Sequence, residues 1–289
     1  MIFFKKPIIT IVTLLYINIL LAQSVDILLK TNPLLELGIN TKTLALKGNI
    51  KEMQEHLFVI DNQEHSTNDS VVVSNVYKFD PNGFTIEIEE TINNLQTKNS
   101  FFSYTNKGYI SHIDIETTPI LQDKDSIAIK SDTPVFSTVD YKYVPKKNIL
   151  YKGEDFTEKL PKKTTIRKEY FYHFNDENQI FQINDQNIDV TTLFNYNSNG
   201  LLKESLTSKS GITSHKNIYK YDRNNRVVSI ITINPDNATK FPNKETTILY
   251  KLDPKGNVTE KKVKTYLYSP KGTKKFIEGF LFLYNYTYL

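Results

Sequence analysis

The chain has 289 residues, 39% hydrophobic and 24% charged, with a formal net charge of +4. That length accommodates one large core or two ordinary ones, and the composition is that of a globular protein. With no cysteine, disulfide staples and a lipid-bearing cysteine are both excluded.

Residues 1–22 read as a signal peptide: Lys5 and Lys6, an apolar stretch from Pro7 to Leu21, then Ala22 before Gln23. Cleavage after Ala22 is expected. The stretch is interrupted by Asn18 and is short of the ~20 residues of a spanning helix, so an uncleaved anchor is the weaker reading. Cleavage removes two lysines, and 4 − 2 leaves +2, too little charge to point to nucleic acid. Residues 23–44 form a lead-in whose segment Ser24–Thr43, with Leu28, Leu29, Leu34, Leu35 and Leu37, is expected to pack across an open end of the fold.

From residue 45 to 289 one turn recurs. The chain holds 18 Tyr and 17 Phe and no Trp, a bias that suits pleated, half-buried strands. In Tyr77-Lys78-Phe79-Asp80-Pro81-Asn82-Gly83-Phe84, two aromatics stand two apart, Asp follows, and Gly comes three later. The same spacing leads from Phe102 and Tyr104 to Gly108, from Tyr172 and Phe174 to Asn178, and from Phe194 and Tyr196 to Gly200. It leads from Tyr219, Tyr221 and Asp222 to Asn225, from Tyr250 and Asp253 to Gly256, and from Tyr266 and Tyr268 to Gly272. Tyr141, Tyr143 and Asn148 form a copy with one residue inserted. The Asp side chain accepts from turn N–H groups, and the Gly or Asn takes the left-handed conformation that closes a three-residue hairpin loop.

Between turns the residues alternate, as in Phe84-Thr85-Ile86-Glu87-Ile88-Glu89. Lys78, Lys142, Lys220 and Lys251 fall on one face, read as a possible ligand face. The polar stretch Gln122–Thr133 reads as a loop or extra hairpin. The last strand, Phe282–Leu289, places Tyr284, Tyr286 and Tyr288 on one side and is expected to close the sheet. Lys261, Lys262, Lys264, Lys271, Lys274 and Lys275 are expected to guard a sheet edge.

This turn, with the opening segment Leu46–Met53, resembles the tyrosine-aspartate (YD, RHS-like) repeat of exported bacterial cell-envelope proteins. The resemblance implies an array of β-hairpins with a binding or shell-forming role and no catalytic residues. The expected fold is all-β: a long antiparallel meander of roughly 16–20 strands, twisted or curled into a half-barrel or superhelical sheet.

Chemistry is thinly marked. His56, His65, His112, His173 and His215 show no metal-ligand spacing. There is no nucleophile elbow, phosphate loop or dinucleotide fingerprint. Glu87, Glu89, Glu90 and Asp114 are the carboxylates that a glycosidase pair would draw on, but alternation puts Glu87 and Glu89 on the solvent side. No metal, cofactor or membrane span after cleavage is expected. The chain therefore reads as an exported, periplasmic or extracellular, non-enzymatic module presenting a wet face of Lys, Glu and Tyr to a glycan or protein partner. The alternative is a structural or assembly factor whose shell holds another exported protein; an enzyme acting on polysaccharide comes third.

Overall fold

The computed structural model describes residues 41–289 apart from 43, 68–70, 94, 107, 123–127, 131–133, 145, 146, 148, 159–163 and 236–240. The expected signal peptide, nearly all of the lead-in, and Asn148 lie outside the described residues.

Seventeen strands follow one another: β1 (Ile50–Val59), β2 (Val73–Phe79), β3 (Thr85–Ile92), β4 (Gln96–Tyr104), β5 (Ile110–Gln122), β6 (Ala128–Lys130), β7 (Val135–Val144), β8 (Ile149–Glu158) and β9 (Thr164–Phe174), then β10 (Ile180–Asp185), β11 (Val190–Tyr196), β12 (Leu202–Lys209), β13 (Ile212–Tyr221), β14 (Val227–Ile233), β15 (Lys244–Leu252), β16 (Val258–Tyr268) and β17 (Lys274–Tyr288). Each pairs antiparallel with its neighbour in sequence, except that the short β6 pairs only with the end of β5, and β5 continues to β7. The polar excursion of Gln122–Thr133 thus holds the extra hairpin.

The expected half-barrel or open superhelical sheet is corrected by one pairing. β1 pairs with β17 from Ile50↔Tyr288 to Val59↔Phe280, as well as with β2. First and last strands satisfy each other's backbone groups, so the meander closes into a barrel of 16 strands with β6 as an appendage.

The turns follow one recipe. In the first, Gly83 N donates to Asp80 O and Asp80 N to Phe84 O, while Asp80 Oδ1 accepts from Asn82 N at 2.9 Å and Phe84 N at 2.8 Å. The same pair of backbone bonds recurs at 105–109, 175–179, 197–201, 222–226, 253–257 and 269–273. Gly83, Gly108, Gly200, Gly256 and Gly272, with Asn178 and Asn225, all have positive φ. Because strands alternate in direction, the 80–84, 105–109, 175–179, 197–201, 222–226 and 253–257 turns share one end, and the 269–273 turn sits at the other, among the longer connections.

A tyrosine ladder ties five strands to the turn before them. The hydroxyl of Tyr104 donates to Thr85 O, Tyr196 to Ile180 O, Tyr221 to Leu202 O, Tyr250 to Val227 O and Tyr286 to Val258 O, at 2.5–2.9 Å. Every acceptor is two residues past the left-handed residue of an earlier turn. Burial pushes these phenols up, Tyr221 to about 12.

Along each strand one face is buried: Met53, Leu57, Val73, Tyr77, Tyr172, Phe194, Tyr219, Ile248, Val263, Phe280 and Phe282 are among its members. In a closed sheet that face is the inside. Tyr77, Tyr172 and Tyr219 and the ladder tyrosines therefore point inward, their rings adding bulk inside the barrel and the ladder hydroxyls meeting backbone carbonyls, while Tyr151 and Tyr266 stay on the outer side. Most Lys, Glu and Asp take the outside, and Glu55 and Lys261 are buried exceptions.

Residues 41, 42 and 44–49 lie at the seam's short-turn end. Thr41 N donates to Gly83 O, and Lys47 N to the side chain of the buried Asn257 at 2.6 Å. A Cβ on Gly83 (φ +85) would lie 2.1 Å from Thr41 Oγ1, whereas one on Gly256 (φ +91) would meet nothing within 4 Å. Gly256→Ala is expected to cost about 1–2 kcal/mol, the left-handed penalty alone, and Gly83→Ala more, because segment 41–49 must also move. Chemical denaturation of the two variants measures the difference; equal losses would mean that the segment adds nothing.

Candidate functional site

Three places bring polar chemistry together: the inside of the seam, the outer wall, and the rim at the long-connection end.

Inside, a polar row crosses five strands, Tyr284↔Glu55↔Asn75↔Glu90 and on to Lys98, between the apolar layers Phe282-Leu57-Val73-Ile92 and Tyr286-Met53-Tyr77-Ile88. Glu55, 4% exposed, accepts from Asn75 Nδ2 at 2.9 Å and from the Tyr77 hydroxyl at 3.3 Å. The Tyr284 hydroxyl also bonds to it, and burial beside this carboxylate drives both phenols well up. Lys261, 6% exposed, stands next to the row with its ammonium 3.8 Å from the centre of the Phe282 ring. It makes no ion pair among the described residues, and burial pulls its amine down to about 8 despite the attraction of Glu55. Sequence alternation exposed neither Glu55 nor Lys261 as special, since a lone Glu or Lys in a strand reads as outward.

The carboxylates considered for catalysis are divided. Glu87, Glu89 and Asp114 face outward, and Glu90 faces inward two strands from Glu55, about 9–10 Å apart by strand spacing. Glu55 is held by three donors, a structural arrangement.

The outer wall is laced with cross-strand charge pairs: Lys78–Glu87 at 2.9 Å, Arg167–Asp155 at 3.0 Å, Lys216–Glu204 at 2.5 Å and Lys251–Glu260 at 2.8 Å. The expected ligand lysines all face outward, as alternation places them, but they are not gathered into one patch. Lys78, Lys142, Lys220 and Lys251 sit on β2, β7, β13 and β15, spaced around the barrel near its short-turn end, and two of them are paired with glutamates. Nor do the C-terminal lysines guard an edge, because closure leaves none: Lys262 and Lys264 bind Glu64 at 2.6 and 2.9 Å, holding its carboxyl down at about 2, and Lys261 points inward.

His112 lies between Asp140 at 2.7 Å and Asp114 at 3.0 Å, and these bonds, Asp140's first, raise its pKa. β7 and β8 separate it from His173 on β9. No cluster of His, Asp and Glu suited to a metal occurs among the described residues. Gly153 leaves room for Arg167, whose guanidinium donates to the Tyr151 hydroxyl at 2.8 Å.

At the rim, a cleft of about 680 Å³ lies between the β12–β13 turn and the ends of the β14–β15 connection.

No protein-family model matches the chain, and no curated protein does. Among solved structures, a porin-like protein from Bacteroides uniformis is similar, with 11% identity and a TM-score of 0.38, over 83% of this chain and 98% of that one. A porin-like protein from Bacteroides vulgatus gives 11% and 0.33 over the same shares, and a protein of unknown function from Bacteroides fragilis 7% and 0.20, over 63% and 89%. Likenesses this distant leave function to the chain's own residues.

The Lys261 amine yields a pH prediction. Its folded pKa is below that of the unfolded chain, so its cost is fully present below pH 8 and is relieved as pH rises from 8 toward 10.5. Lys261→Met is expected to stabilise the protein at pH 7 by roughly 3 kcal/mol at most. Denaturation of both proteins from pH 7 to 10 tests it; a gap that does not narrow with pH would rule the account out.

Proposed function

We propose that this protein is an exported, non-enzymatic binding module that works in water and presents the outer wall of its barrel to a glycan or protein partner in the envelope or extracellular space. The observation that carries the reading is the outward face. Charge is interspersed among its large apolar side chains: Phe101 stands between Glu87 and Asp114, Phe136 beside Glu116, and Leu249 beside Lys262, while Leu193 pairs with Leu206 and Phe58 with Leu281.

A wall in contact with hydrocarbon needs an uninterrupted apolar band, and each charge at mid-membrane depth costs about 2–4 kcal/mol. Lys78–Glu87 and Lys251–Glu260 lie near the short-turn end, whereas Arg167–Asp155 and Lys216–Glu204 stand further along their strands and interrupt such a band, which favours a barrel surrounded by water over a pore. Much of the inward face is occupied by the chain's own side chains, apolar ones such as Tyr172, Phe280 and Ile248 and polar ones such as Glu55, Asn217 and Lys261, which favours recognition on the outside over a shell holding a client protein. The N-terminal pattern of Lys5, Lys6, the apolar stretch and Ala22 supports export, and the repeated hairpin supports kinship with YD-type arrays.

The mature chain, residues 23–289, should purify without detergent, add no conductance to planar bilayers, and retain a glycan or a defined envelope protein in a pull-down at low salt, less at moderate salt. Stepwise conductance, or precipitation that only detergent prevents, would replace the reading with a membrane pore.

A further inference from the structure

The cleft at the rim is shallow and open to solvent, and hydrogen bonds hold its walls. One wall is the β12–β13 turn, a two-residue loop in which Ser210 (φ +49) and Gly211 (φ +78) are both left-handed, the geometry that matches the twist of the strands. This tip is pinned sideways by Ser210 N donating to Asp189 O at 2.9 Å. Ser214 Oγ donates to Thr207 O at 3.0 Å. The opposite wall is fixed by Asn234 N donating to Asn243 Oδ1 at 2.6 Å and by Tyr268 N donating to Asn243 O at 3.1 Å.

Its volume, about 680 Å³, falls within the roughly 300–1,000 Å³ of small-ligand sites. The lining holds three hydroxyls, from Ser210, Thr213 and Ser214, and two carboxamides, from Asn234 and Asn243; Thr213 Oγ1 already meets Ser208 Oγ at 3.4 Å, Ser214 Oγ meets His215 Nδ1 at 3.1 Å and Asn243 Oδ1 accepts from Asn234 N, so a ligand would use their remaining donor and acceptor capacity. Hydroxyls and amides each donate and accept, as pairs of neighbouring sugar hydroxyls require. Ile212, 75% exposed, offers an apolar surface to the C–H face of a ring. Lys209 contributes the lining's one formal charge, no carboxylate is present, and this lysine has no ion pair among the described residues.

We propose that this cleft binds an acidic saccharide unit, one or two rings long, with the ligand's carboxylate at Lys209 and its hydroxyls on the Ser, Thr and Asn side chains. The proposal rests on the reading of the barrel as a binding module in water and gives it a ligand class and a place. A cationic ligand would meet Lys209 with like charge, and a wholly apolar one would strip water from five polar side chains without replacing it.

The test titrates the folded protein with a galacturonate disaccharide and with its neutral galactose counterpart, following backbone amide signals by NMR. Shifts are expected at residues 209–214, with the acidic sugar binding at least tenfold tighter at low salt. Lys209→Met should bring the acidic sugar down to the affinity of the neutral one, and Thr213→Val should weaken both, with unchanged melting temperatures. Equal affinity for the two sugars, or acidic binding untouched by Lys209→Met, overturns the proposal. If envelope material is still captured while the cleft ignores both sugars, the cleft assignment falls and the outer-wall reading stands. If the cleft binds but no envelope material is captured, the outer-wall reading falls instead.

Discussion

The pairing of β1 with β17 is the constraint on which the rest of the molecule depends. A meander this long has two edges, each a row of unpaired N–H and C=O groups ready to accept another strand. Here the register from Ile50↔Tyr288 to Val59↔Phe280 uses both edges on each other. Closure then gives every strand an inside and an outside, so the two-residue alternation of the sequence becomes a radial partition. Tyr77, Tyr172 and Tyr219 become filling, and Lys78, Glu87, Lys251 and Glu260 become wall.

Closure also explains why segment 41–49 runs where it does. The seam joins the two strands most distant in sequence, and no short turn links them at that end. Lys47 and Asn257 exchange hydrogen bonds there, Lys47 N to Oδ1 and Nδ2 to Lys47 O, and Leu44 and Leu46 pack on the cluster of Ile50, Met53, Tyr77 and Phe79. The segment takes the place of the missing turn at the seam, bonded to the first short turn at Gly83 and to the last at Asn257.

The turns were legible in the sequence because their constraint is local. Positive φ admits few residue types, and a side-chain oxygen at the first turn position caps two N–H groups, so Asp80, Asp222 and Gly83 announce themselves within five residues. Strand alternation was legible for the same reason. The seam was not, because nothing within β1 or β17 encodes a partner more than 200 residues away. The sign of each face was misread for the tyrosines, since Tyr suits either side of a half-wet sheet and only closure removes the wet choice. Glu55, Lys261 and the rim cleft stayed hidden because they depend on which strands become neighbours.

The inner polar row shows what such a closed wall demands. Glu55 is a carboxylate between two apolar layers, and it persists there because Asn75, Tyr77 and Tyr284 turn three donors on it. Lys261 has only ring faces and the more distant Glu55 carboxylate to offset its lost hydration, so its amine is the weaker partner and gives up its proton more readily. The outer charges differ in kind: Lys78 and Glu87, or Lys251 and Glu260, remain in contact with water, and such pairs contribute only about 0–1 kcal/mol each. Their consequence is less stability than address. They intersperse charge among the exposed apolar side chains of the wall, such as Phe101 beside Glu87 and Leu249 beside Lys262.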